Sequence, residues 1–98
     1  MLGRYKCVLL VKDNEAVICA DQGEFHSEVM GNVKMKNPHL KDFRCAGGGR
    51  IVNDGKTLRV YGYSVDFGTM DKDKVEELLS DYCINEGLNL INEVGNGY

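Results

Sequence analysis

Three consecutive glycines, Gly47, Gly48 and Gly49, followed by Arg50, constrain this chain more than any other stretch. They open a segment, residues 45–68 (CAGGGRIVNDGKTLRVYGYSVDFG), that reads as a β-hairpin. Arg50-Ile51-Val52 leads to a turn signal at Asn53-Asp54-Gly55, and a β-rich run follows over residues 56–65. Glycine weakens a strand unless the bare backbone is needed, for close approach of another group or for a positive φ. Two readings stand at this point. Backbone N–H groups and the Arg50 guanidinium together hold an anion, or the glycines let a bulged, twisted strand pack closely against a helix.

The hairpin register bears on the choice. A two-residue loop at Asp54-Gly55 would set Arg50 opposite Arg59, a like-charge pair that costs stability. A three-residue loop with Gly55 at the αL bulge position sets Arg50 opposite Leu58, on the face of Val60, Gly62 and Ser64, and is the register expected. It leaves Ser64 roughly 20 Å along a regular strand from the residue opposite Arg50. The two side chains would then share one phosphate only if the glycines bend the strand sharply; otherwise Arg50 works at the rim.

On the N-terminal side, residues 4–12 (RYKCVLLVK) read as a strand with Tyr5, Cys7, Leu9 and Val11 on one face and Lys6, Val8 and Leu10 on the other. A polar turn leads to a second strand over residues 16–20 (AVICA), making an antiparallel hairpin. Residues 25–36 predict a helix with Phe25, Val29 and Val33 on its apolar stripe, ended by Asn37-Pro38. On the C-terminal side, residues 71–83 predict a helix through Val75, Leu78, Leu79 and Tyr82, with Gly87 as a left-handed cap and a last strand over residues 88–94. The order strand, strand, helix, strand, strand, helix, strand predicts an α+β fold with one mixed sheet carrying the helices.

With 98 residues, 43% hydrophobic and 28% charged, the chain is expected to form a single domain over residues 1–98. A net charge of −3 argues against general nucleic-acid binding, so an anion site has to be a local concentration of positive charge. The longest apolar run, residues 7–11, is too short for a membrane span or a signal peptide, and neither terminus has a lipidation pattern. Cys7, Cys19, Cys45 and Cys83 lie far apart, and His26 and His39 add no ligand spacing. Reduced cysteines in a cytoplasmic protein are expected, with no metal site and no disulfide frame.

Two residues invite a chemical reading. His26 falls in the first turn of its helix, at the margin of the apolar stripe, where the positive end of the helix dipole disfavours the imidazolium and free N–H groups attract an anion. A neutral imidazole there is a candidate base or nucleophile; the plain alternative is a surface histidine. Lys6 lies at the polar end of an otherwise apolar face, where a lysine commonly does no more than snorkel to water.

CAGGGRI followed by RVYGYSVDFG, with EFHSEV upstream, RYKCVLLV at the start and a terminal GNGY, resembles the Janus family of phosphohistidine phosphatases over nearly the whole chain. The resemblance implies a small hydrolase of phosphohistidine on proteins, with no metal or other cofactor. It implies His26 as the essential histidine, Lys6 as the phosphate-binding lysine, and Ser27 as the helix-start backbone donor. Gly47 and Arg50 fall in the GGGR motif, and Ser64 is the serine of the YGYS motif. The chain departs from the family at Asp66, where a small residue is common, and at Phe25, where tyrosine is common. The expected partners are phosphohistidine-containing proteins, with no nucleic acid and no membrane, and the expected state is a monomer. Two other readings are a non-catalytic module that binds phosphohistidine or another anion through the same groups, and a structural domain in which the glycines serve packing alone.

Overall fold

The computed structural model describes residues 2–96; Met1, and Gly97 and Tyr98 of the terminal GNGY, lie outside the described residues. The fold is α+β, with one five-stranded mixed sheet and two helices. Strands β1 (Gly3–Lys12) and β2 (Glu15–Asp21) form the expected hairpin, and helix α1 (His26–Lys36) follows, closed by a 3-10 turn at Pro38–Leu40. Strand β3 (Arg44–Asn53), strand β4 (Thr57–Gly62), helix α2 (Lys72–Glu86) and strand β5 (Asn89–Val94) complete the order. Across the sheet the order is β2-β1-β3-β4-β5, antiparallel except where α2 returns the chain so that β5 runs parallel to β4.

The apolar run of β1 is buried on both faces because a helix covers each side. Cys7 and Leu9 join Ile51, Val60, Val75 and Leu79 beneath α2, while Val8 and Leu10 pack with Val29, Val33, Leu40 and Phe43 beneath α1 and the 3-10 turn. Helix α2 starts where Asp71 caps the N–H groups of Asp73 and Lys74, and it ends at Gly87 in the left-handed region (φ 69°). No helix among the described residues is long and apolar enough to cross a membrane.

Three local expectations are corrected. Helix α1 begins one residue later than expected: Phe25 is its extended N-cap and 58% exposed, and His26 takes the place on the buried stripe with Val29 and Val33. The β3–β4 register sets Arg50 opposite Tyr61 and Arg59 opposite Val52. The cause is Asp54, whose carboxylate accepts the N–H groups of Lys56 and Thr57 and so moves the reversal onto Gly55-Lys56. This register also avoids the Arg50–Arg59 pairing. Finally, β4 stops at Gly62 (φ 78°), well before residue 65, and a turn over residues 65–67 is closed by hydrogen bonds between the backbones of Ser64 and Gly68.

The glycine run has separate causes at each position. Leu9 faces both Ala46 and Gly47 in a bulge, and Gly47 (φ 143°) lies so close to the Thr69–Met70 backbone that a Cβ would come within 2.8 Å of it. Gly49 passes under the Tyr61 carbonyl, where a Cβ would also approach to 2.8 Å. Packing explains both, as the plainer reading of the run expected, although the element packed against Gly47 is the loop before α2.

Candidate functional site

Gly48, between them, borders the site. A Cβ at Gly48 would lie 2.7 Å from His26 Cδ2 and 3.0 Å from Ser64 Cβ, so the histidine and the serine meet over this bare stretch of backbone. The His26 ring is buried, with Nε2 2.9 Å from the Gly49 carbonyl oxygen. A carbonyl only accepts, so Nε2 carries the proton and, in the neutral ring, Nδ1 keeps the lone pair. Burial pulls the His26 pKa below 6.5, and the positive charges of Lys6 and Arg50 push the same way. The Gly49 carbonyl and Asp66 oppose them without reversing the direction. The neutrality expected from the helix dipole therefore has desolvation as its principal cause.

Around this imidazole lie groups suited to an anion. Phe25 has no side-chain cap to offer, and the N–H groups of His26 and Ser27 have no acceptor among the described residues, which leaves an open helix N-terminus. Lys6 and Arg50 are direct cross-strand partners on the α1 side of the sheet. Asp21, the other cross-strand neighbour of Lys6, is held by Lys36 at 2.7 Å, so Lys6 has no carboxylate partner among the described residues. Ser64 is buried, and its Oγ accepts the Phe67 N–H at 3.1 Å, leaving the hydroxyl proton free to donate.

Lys6 and Arg50 line a depression of about 240 Å³, and His26 lines a neighbouring cleft of about 210 Å³ with Glu24, Phe25, Val65 and Asp66. The structure thus brings His26 and Ser64 together and sets Lys6 and Arg50 close enough for their charges to act on the ring. Ser27 sits beside them at the exposed helix start, while Gly47 is buried against Met70. The separation of roughly 20 Å between Ser64 and the residue opposite Arg50 disappears, because that residue is Tyr61, within about 10 Å of Ser64 along the chain. The Gly49 carbonyl, which selects the histidine tautomer, went unseen in the sequence, since a backbone acceptor leaves no residue signature. Asp66 lines the cleft, and its charge acts on the His26 ring. We expect Asp66→Asn to tighten inorganic phosphate binding about twofold, as expected of an exposed charge, and to lower the His26 pKa further. Calorimetry and NMR titration of the ring read the two effects, and neither should occur if the carboxylate is screened from the cleft.

No curated protein matches this chain. The model of the Janus/Ocnus family matches residues 6–86, a span that starts at Lys6, ends with α2 and contains His26, Ser27, Gly47, Arg50 and Ser64. A match over that much of the chain, taking in the strand and hairpin that line the depression and the helix start that lines the cleft, establishes that the protein belongs to the Janus/Ocnus family.

Proposed function

We propose that this protein is a phosphohistidine phosphatase, which hydrolyses the P–N bond of phosphohistidine on proteins. The observation that carries the reading is a buried, neutral His26 with its lone pair assigned to Nδ1, set beside two cations and an open helix N-terminus. Binding alone has no use for a neutral imidazole, whereas a base does. Phosphoryl transfer needs its charge neutralised and its nucleophile aligned. Lys6 and Arg50 supply positive charge, the His26 and Ser27 N–H groups orient the oxygens, and the Ser64 hydroxyl donates one more hydrogen bond.

In the reaction, water attacks phosphorus in line with the leaving imidazole, and its proton passes to His26 Nδ1. The P–N bond breaks, and the leaving nitrogen takes a proton from His26 or from solvent, giving histidine and inorganic phosphate. Incubation with a phosphohistidine-bearing protein should release inorganic phosphate over many turnovers. Binding without release would leave an anion-binding module in place of an enzyme. Lys6→Ala should weaken phosphate binding by about 1–3 kcal/mol, the usual range for a charge-assisted hydrogen bond. Unchanged affinity in isothermal titration would return Lys6 to the role of a strand-end lysine.

A further inference from the structure

Helix α1 packs mainly on β1 and β2 and meets β3 at Gly48 and Gly49 through His26, while α2 packs on the opposite face, so the α1 side of the sheet from Arg50 across β4 to β5 is left open. The strand register puts two rows of side chains on this open face. Lys6, Arg50, Tyr61 and Glu93 form the row beside the candidate site, and Arg4, Val52, Arg59 and Ile91 form the next. The depression that holds Lys6 and Arg50 shares Arg4, Val52 and Tyr61 with a second one of about 370 Å³ lined by Arg59 and Ile91. Together they make one trough that runs from the site towards β5.

The trough is positive on a chain whose net charge is −3. Arg4, Lys6, Arg50 and Arg59 line it, against one lining carboxylate, Asp54. Of the nearby carboxylates, Asp21 is held by Lys36, Asp54 accepts backbone N–H groups of its own turn, and Glu93 pairs with the Nε of Arg59, which offsets part of that charge and leaves the outer guanidinium nitrogens of Arg59 to meet a ligand. Many of the acidic residues lie instead on α2, with Asp73, Glu76, Glu77, Asp81 and Glu86 on a helix that packs against the opposite face of the sheet. The floor is part apolar: Ile91 is 43% exposed, and the Arg59 guanidinium lies 4.5 Å from the centre of the Tyr61 ring. The two rows are about 7 Å apart, which is also the spacing of alternate side chains on an extended peptide.

We infer that this trough docks an acidic, extended stretch of the substrate protein next to its phosphohistidine, with carboxylates on Arg4 and Arg59 while the phosphoryl group lies at Lys6 and His26. The inference rests on the phosphatase reading above for its substrate, but the surface can be tested without it. A short acidic segment suits the trough better than a nucleic acid, whose long run of phosphates would meet the net negative charge of the rest of the protein.

The test measures fluorescence anisotropy of three unphosphorylated probes of equal length: a Glu/Asp-rich peptide, a Gly/Ser peptide and a single-stranded oligonucleotide. Turnover of phosphohistidine peptides with acidic and with neutral flanks runs in parallel. The acidic probe should bind at least fivefold more tightly than the neutral one, and Arg4→Ala/Arg59→Ala should erase that advantage. Acidic flanks should lower KM by a similar factor with kcat unchanged, while turnover of the neutral-flanked peptide stays the same in the double variant. Arg4→Glu alone tests the surface without disturbing the Arg59–Glu93 pair. Equal binding of the two peptides, an acidic preference that survives the double variant, or tighter binding of the oligonucleotide overturns the inference. Arginine-dependent binding of the acidic probe with no hydrolysis of either phosphopeptide upholds the docking surface and removes the phosphatase reading.

Discussion

His26→Ala is expected to lower phosphate release by about 10²–10⁴-fold, the range a positioned general base contributes, while inorganic phosphate still binds through Lys6, Arg50 and the helix start. His26→Gln, which can keep a donor towards the Gly49 carbonyl and fills most of the space, should lose activity equally and so separate lost chemistry from a lost ring. In the unaltered protein, activity should rise with pH through a midpoint below 6.5 and then level off, because burial and the Lys6 and Arg50 charges hold His26 neutral. Stability follows the same sign. Between the depressed folded pKa and 6.5 the unfolded chain binds more protons, so the His26 contribution is complete above 6.5 and is lost as pH falls towards the folded value. Nucleophilic attack by His26 would instead form a second phosphohistidine, no easier to hydrolyse than the first unless water were then activated. A rapid quench with labelled substrate decides between them: label that appears on His26 and decays at the turnover rate would replace the base with a nucleophile.

What could be read from the sequence follows physical range. Period alone exposes the β1 run from Cys7 to Leu10 and the α2 stripe through Val75 and Leu79, and Gly87 carries the signature of a left-handed cap. The His26 and Phe25 positions are exchanged relative to the helical pattern because hydrophobicity favours the phenyl ring as core. The deciding fact is room over Gly48 and an acceptor at Gly49, twenty-two and twenty-three positions away. Arg50 is misplaced by a register error of three residues, its partner being Tyr61 in place of Leu58. That error came from one aspartate side chain competing for turn N–H groups. The Lys6–Arg50 pair needs the β1–β3 ladder, a long-range contact that no local pattern encodes. The motif resemblance did single out both residues, as it did His26 and Ser64.

Gly48→Ala should damage fold and site together. Its new methyl would lie 2.7 Å from His26 Cδ2, 3.0 Å from Ser64 Cβ and 3.1 Å from the Cys7 carbonyl oxygen. None of these neighbours yields cheaply. The histidine is tied at Nε2 to Gly49, Ser64 is fixed by hydrogen bonds to Phe67 and Gly68, and the Cys7 carbonyl belongs to the middle of a buried strand. Overpacking of this kind costs about 1–3 kcal/mol. The least costly relief is to push the imidazole off the Gly49 carbonyl, which exposes the ring, so its pKa should climb back towards 6.5 and phosphate release should fall by about 10²-fold or more. Gly31→Ala is the matched control. Gly31 lies exposed within α1 with nothing within 4 Å of a Cβ, so the same methyl should stabilise the protein by roughly 0.5–1 kcal/mol through helix propensity and leave activity alone. Urea denaturation and NMR titration of the His26 ring read both variants. Equal stability changes of one sign, or a Gly48→Ala protein with a normal His26 titration and full turnover, would mean that the bare backbone at Gly48 is not what seats the histidine.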